Sequence, residues 1–273
     1  MEDTVNSSRM ETNKPTFILA SLNNGYDNHE SDPVKNFHFT RTVMSANSLA
    51  SIHNAQVIFV DWCSKNENKY RSHLSPGIKY VYVKPFINEE LHKNNNSTML
   101  FYEWIAKDIG AYFAETNWLL FTNGDNFFPT QTIEHLNQTQ LNPNQWYSAK
   151  RLNIKNNVFV NDIADFQQTI DTKQSQFDVI QECIFCHGDF TLCFKEKYEQ
   201  AGGYDYIHRH AYGDHWLMNK LSQIGCNQQF LNLHFYHISH SAWGQAFVSS
   251  EASIDKPYIK QLILSTCEVE TIK

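Results

Sequence analysis

Three short polar clusters in this chain combine residue types that could do chemistry. They are Asn123-Gly124-Asp125, Gly213-Asp214-His215 and His237-Ile238-Ser239-His240. A carboxylate flanked by an amide and a glycine suits a hard cation, a ribose, or both. One Asp and one His from distant parts of a chain can complete a divalent-ion site when phosphate oxygens and water fill the other positions. A pyrophosphate–metal unit needs few protein ligands, so a single carboxylate plus one imidazole is chemically sufficient. Asp214 then remains as a general acid or base. Each cluster also has a plain structural reading. Asn-Gly-Asp-Asn is ideal turn composition. His237, between Tyr236 and Ile238 in a strand-like run, could be a satisfied core histidine. Asp214 could be a simple helix cap.

The elements that must position these residues are legible from periodicity. Trp118-Leu119-Leu120-Phe121 is a short apolar run bounded by turn residues, which reads as a buried strand of a parallel sheet. Open α/β sheets bind ligands at the carboxyl ends of their strands, and Asn123 to Asp125 stand at such an end. Thr16 to Ala20 is a first strand, emptying into Ser21-Leu22-Asn23-Asn24-Gly25. Asp32-Pro33 caps a helix through about Ile52. Ala55 to Val60 is a second strand ending in Asp61-Trp62, and Lys79 to Val83 a third. A helix from about Thr98 to Glu115 carries Leu100, Phe101, Trp104, Ile105, Ile109 and Phe113 at helical spacing. Its Lys107 and Asp108 have a solvated helix face as their ordinary reading. This alternation predicts βαβ units and a parallel sheet.

The second half is less regular. Trp146 to Ala149 and Asn157 to Val160 read as strands around Lys150-Arg151, a pair that is either surface charge or the cationic partner of a phosphate. Residues 161–178 read as a polar loop. A short helix is stopped by Gly202-Gly203. A second opens at Gly213-Asp214 and ends at Gly225, with Asp214 in the first turn, where the helix dipole favours a carboxylate. Phe230 to Leu233 is a strand, and the tail from Pro257 to Thr266 is helical. The expected organisation is a disordered lead-in over 1–14 and a single domain over 15–273. Within it, 15–130 read as a nucleotide-binding half, followed by the less regular half over 131–273.

Composition narrows the function. The chain has 273 residues with 41% hydrophobic and 14% aromatic content, enough for a sizeable core, and a net charge of −7. That balance argues against a nucleic-acid partner, which would call for a basic field. No apolar run reaches membrane-spanning length, and Met1 to Lys14 lacks the basic-then-apolar order of a signal peptide. A cytoplasmic protein, compatible with a peripheral place at a membrane, is expected. The six cysteines offer no second pair at zinc spacing, so free buried thiols are expected.

Six segments in order resemble a family. Val60-Asp61-Trp62 ends a strand. Ala106-Lys107-Asp108-Ile109-Gly110 lies on the helix before Asn123-Gly124-Asp125. Then come Gly188-Asp189-Phe190 with Gly202-Gly203-Tyr204, the Asp214-led helix, and Tyr236 to His240 followed by Trp243. From about residue 16 to 244 the chain resembles GT-A nucleotide-sugar glycosyltransferases, in particular a bacterial and large-virus group with an Asn-x-Asp variant of the Asp-x-Asp motif. Asp108 departs from the group's usual Asn.

The resemblance implies an α/β GT-A fold, with a mostly parallel central sheet flanked by helices and a smaller mixed acceptor-side region. It implies transfer of a hexosyl or deoxyhexosyl group from a nucleoside-diphosphate sugar, a UDP-sugar foremost, to a glycan or glycolipid hydroxyl, as in surface polysaccharide biosynthesis. Leu22, Asn23 and Asp61 would hold base and ribose, with Lys107, Asp108, Asn123 and Gly124 completing the nucleotide site. Asp125 with His240 or His237 would hold Mn2+ or Mg2+. Asp214 would take the acceptor's proton in an inverting reaction. Asp189, Lys150, Arg151 and Trp243 would face donor sugar or acceptor. A sugar nucleotidyltransferase and a catalytically silent nucleotide- or glycan-binding protein are the alternatives. The first would normally carry a basic phosphate loop, and Ser21 to Gly25 has no Lys or Arg.

Overall fold

The structure is a computed structural model that describes residues 14–22, 37–52, 55–65, 70–93, 99–155, 166–184, 187–208, 213–238 and 250–273. Residues 1–13 of the lead-in, Asn23, the Asp32-Pro33 cap, the strand expected over 157–160, His240 and Trp243 lie outside the described residues.

In the first half, strands β1 (Pro15–Ser21), β2 (Gln56–Trp62), β3 (Lys79–Val83) and β4 (Trp118–Phe121) pair in parallel in the order β3-β2-β1-β4. Helices α1 (Phe37–Ser51), α2 (Phe86–His92) and α3 (Glu103–Phe113) connect or flank them. Alternate strand residues point to opposite faces. Phe17, Leu19, Val57, Phe59 and Leu120 therefore pack with Val43 and Leu49 of α1. Ile18, Ala20, Ile58, Val60, Leu119 and Phe121 pack with Trp104, Ile105 and Ile109 of α3. Burial on both faces is what makes these strands read as unbroken apolar runs.

The second half contains β5 (Asn126–Phe127), α4 (Thr130–Gln138), β6 (Gln145–Ile154), α5 (Phe166–Thr172), β7 (Val179–Cys183), β8 (Thr191–Phe194), α6 (Lys195–Gln200), β9 (Ile207–His208), α7 (Gly213–Gln223), β10 (Asn227–Ile238), β11 (Ser250–Ser253), α8 (Lys256–Thr266) and β12 (Glu268–Thr271). One ten-stranded sheet runs through both halves in the order β12-β3-β2-β1-β4-β8-β6-β10-β5, with β7 on β6, while β9 and β11 form a separate ribbon. β8 is antiparallel to both β4 and β6, and β6 is parallel to β10. Strands β1 to β4, β6 and β10 thus share one direction, and their carboxyl ends form one edge of the sheet. This is the expected α/β class, a parallel centre flanked by helices with a mixed region beyond β4.

Several expectations are corrected. One strand, β6, runs through Lys150-Arg151; alternation lets a strand carry both charges by sending them to opposite faces. Residues 161–178 are not all loop. Phe166, Thr169 and Ile170 bury one face of α5, packing with Met44, Phe127, Phe177 and Tyr236. That apolar stripe is too short and too interrupted by glutamine to register as a helix period. Cys63, Cys193, Cys226 and Cys267 are free, but Cys183 is disulfide-bonded. The tail helix α8 is capped by Asp255, which accepts from the Tyr258 N–H at 3.1 Å, and the chain then adds β12 antiparallel to β3. Among the described residues no helix is long and apolar enough to cross a membrane.

Candidate active site

The Asn123–Asp125 stretch forms a turn at the end of β4. The Asn126 N–H donates to the Asn123 carbonyl at 3.2 Å, closing a tight turn as β4 ends. Gly124 is required there by close approach, since a Cβ would fall 2.6 Å from the Thr42 hydroxyl oxygen of α1. The turn hands the chain to β5, which pairs antiparallel with the end of β10, Asn126 opposite His237. The Ile238 N–H donates to the Asp125 carbonyl at 3.3 Å. This register brings His237 Nε2 within 3.2 Å of Asp125 Oδ2. His237 is accordingly no simple core histidine: its half-buried ring faces a carboxylate at the carboxyl edge of the sheet.

Beside this pair lies a buried ionic network. Lys107, wholly buried, donates to Glu103 at 2.6 Å, Asn123 Oδ1 at 2.7 Å and the Gly188 carbonyl at 2.9 Å. All three ammonium protons are placed, which overturns the solvated-face reading. Asn123 Nδ2 donates to Asp189 Oδ1 at 2.8 Å. Asn126 Nδ2 donates to the Asp189 backbone carbonyl at 3.2 Å and to its Oδ1 at 3.3 Å. Asp189 Oδ2 is ion-paired with Arg151. Lys150, one residue away, turns to the other face and meets Glu182 at 3.1 Å, both largely exposed. The adjacent cations are therefore separated, and Arg151 alone joins the network.

Asp214 opens α7 next to the same loop. A Cβ at Gly188 would lie 3.6 Å from Asp214 Oδ2, and one at Gly213 would lie 2.5 Å from the Trp104 indole. Only a glycine lets α7 begin this close to α3. No hydrogen bond from another described residue reaches the half-buried Asp214 carboxylate. His187 is packed edge-on to Trp146 and His215, with ring centroids 5.4 and 5.8 Å apart. Burial holds its imidazole below the ordinary value, the Asp214 charge opposes this, and His215 adds to it.

The remaining expected residues have other surroundings. Asp61 is wholly buried and accepts from Ser64 and from the Tyr80 hydroxyl at 2.6 Å, so it holds the turn after β2. Leu22 packs into the core layer shared with α3. Asp108 is buried away from Lys107's partners. It accepts from Tyr198 at 2.6 Å, Tyr206 at 3.0 Å and Lys260 at 2.8 Å, with Lys256 at 3.7 Å. The helix period places 107 and 108 about 100° apart, which is enough to give them separate roles. Sequence reasoning missed Glu103, Asn126 and His187. Asn126 and His187 each adjoin a motif residue and Glu103 lies one helical turn before Lys107, but only the tertiary contact marks them. Among the described residues no group of three or more His, Cys, Asp or Glu is gathered to hold a metal.

Fold and site together define an α/β protein that collects a carboxylate–imidazole pair, a buried ionic network and a helix-borne carboxylate at one edge of its sheet. No family model and no curated protein matches the chain. Among solved structures it is similar to TarS 1-349 from S. aureus, at 14% identity over 82% of this chain and 60% of that one, with a TM-score of 0.48. It is also similar to the mannosyltransferase PcManGT from Pyrobaculum calidifontis, solved in complex with GDP-Man and Mn2+. That likeness has 12% identity over 84% of this chain and 59% of that one, with a TM-score of 0.46. The chain spans about three fifths of the length of each.

Proposed function

We propose that this protein is a metal-dependent glycosyltransferase of the GT-A type, moving a sugar from a nucleoside-diphosphate donor, a UDP-sugar foremost, to a hydroxyl of a glycan or glycolipid. The observation that carries the reading is the Asp125–His237 pair, 3.2 Å apart at the carboxyl edge. Two neighbouring ligands in an octahedral shell of ~2.1 Å bonds stand about 3.0 Å apart. A carboxylate oxygen and an imidazole nitrogen at this separation fit one shared Mn2+ or Mg2+, with donor phosphate oxygens and water completing the shell. When bound, such an ion neutralises charge on the departing diphosphate.

The chain's own residues supply the rest. Asp214, free of hydrogen bonds from other described residues and set at a helix N-terminus, takes the proton of the acceptor hydroxyl. That oxygen bonds to the anomeric carbon from one face. The carbon–oxygen bond to the diphosphate breaks on the other, its electron pair leaving with the diphosphate and the anomeric centre inverting. Asp61 keeps the turn beyond β2 in place for the nucleoside.

Calorimetry with UDP-sugars and GDP-sugars, with and without Mn2+, tests the proposal. The wild type is expected to take up one donor class only with the metal, and Asp125→Ala to lose that uptake. Metal-dependent uptake unchanged in Asp125→Ala would sink the metal assignment. Uptake by the wild type with no sugar transfer or hydrolysis would favour a silent binder instead.

A further inference from the structure

The Asn123 side chain uses both of its ends inside the protein. Its carbonyl accepts from Lys107 at 2.7 Å, and its amide donates to Asp189 at 2.8 Å. An aspartate at this position could only accept, and its oxygen would stand against the Asp189 carboxylate as a second negative charge. An amide is the side chain of this shape that joins an ammonium to a carboxylate. Asp189 passes the link on to Arg151.

Arg151 lies on the His237 face of β6. It pairs in register with Phe235, and Asn153 pairs with His237. Parallel partners share a face, and residues two apart on one strand share it too. Arg151 therefore stands on the same face as His237, ~7 Å along the strand. With one N–H edge held by Asp189, its guanidinium is oriented, and its side chain is one-fifth exposed. A buried Lys and Asp have thereby aimed a third charged group, itself partly open, along the sheet edge that carries the Asp125–His237 pair.

From this geometry we infer that Asn123 is a positioning residue and not a metal ligand, and that the relay Lys107–Asn123–Asp189 presents Arg151 to the diphosphate of the donor. The inference rests on the proposed transferase reading for the identity of the anion. The relay itself rests on the contacts alone. It gives Asp189 a supporting task in place of a direct sugar contact, and it gives the Asn-x-Asp form of the motif a physical reason.

A charge swap tests it. Asn123→Asp alone sets two carboxylates against each other, while Asn123→Asp with Asp189→Asn restores one donor and one acceptor in reversed order. The single variant is expected to lower the unfolding temperature and to weaken UDP or GDP binding about tenfold or more in saturating Mn2+, matching Arg151→Gln. The double variant is expected to regain both. The affinity for Mn2+ alone, read by paramagnetic resonance of the free ion, should stay within about twofold throughout, since coupled effects belong to residues sharing a contact. Tighter Mn2+ binding by Asn123→Asp would make position 123 a metal ligand and overturn the inference. So would a double variant no better than the single. Full diphosphate affinity in Arg151→Gln would overturn the role of Arg151. If the wild type takes up no nucleoside diphosphate, the transferase reading and the Arg151 role both fall. The unfolding temperatures of the swap still decide the relay.

Discussion

The Asp125 carboxylate and the His237 imidazole meet because the two-residue strand β5 pairs antiparallel with the end of β10, placing Asn126 opposite His237. Neither residue is near the other in sequence, and neither sits on a loop free to search for its partner. The pair is held by backbone hydrogen bonds on both sides, so its geometry exists before any ligand arrives. His237→Ala should therefore weaken Mn2+ binding about tenfold or more, and the loss in a double variant with Asp125→Ala should fall short of the sum of the singles, because the two share one partner. Titration with Mn2+ in the presence of UDP and GDP checks this. Additive losses would mean the residues act separately.

Asp214 is expected to act in the transition state. Asp214→Asn should cut transfer about 10²-fold or more while leaving donor affinity within about twofold, the signature of a lost general base. Steady-state kinetics paired with calorimetry separates the two. A collapse of donor binding would assign Asp214 to the ground state.

Gly213 controls where Asp214 stands. A methyl group there would meet the Trp104 ring at 2.5 Å, so Gly213→Ala must push the start of α7 off α3. Turnover should fall at least tenfold with a smaller change in donor affinity, as expected when a catalytic group is displaced by a fraction of an ångström or more. Retained turnover would show that the first turn of α7 can move without cost to the chemistry.

Asp108 is a stability residue. It is buried and ties α8, through Lys260 and Lys256, to Tyr198 and Tyr206. Asp108→Ala leaves two buried phenols and the lysines without their acceptor, and should cost ~3 kcal/mol in urea unfolding. Asp108→Asn keeps an acceptor oxygen and should cost less. Donor affinity should follow stability only, since Asp108 faces away from the site.

The protein should lose stability in mild acid. Burial is the main cause holding both His187 and His234 below the ordinary value of 6.5, aided at His234 by Lys150. The unfolded chain then takes up protons before the folded one does. The contribution of these groups is complete above about pH 6.5 and declines as pH falls through their lower folded values. Denaturant midpoints at pH 7.5 and 5.5 measure the slope, and a His187→Gln/His234→Gln variant should flatten it.

Much of this was legible without a structure. The apolar runs of β1 to β4 and the periodic face of α3 specify a parallel sheet with helices on it, because period and burial are local properties of sequence. Asn123 to Asp125 at a strand end and Asp214 at a helix start follow from the same reasoning. The short α5 and the edge strand β12 escaped it, since their burial depends on partners far along the chain. The adjacent charges divide in the same way. Composition marks Lys107-Asp108 and Lys150-Arg151 as pairs, but only packing decides that Lys107 and Arg151 join one ionic network while Asp108 braces α8 and Lys150 meets Glu182 at the surface. The residue types, and so the possible chemistry, were determined by the sequence alone. Which carboxylate meets which cation was decided by sheet register and helix rotation, because an electrostatic contact is set within a few ångströms and the chain brings those atoms together only when it folds.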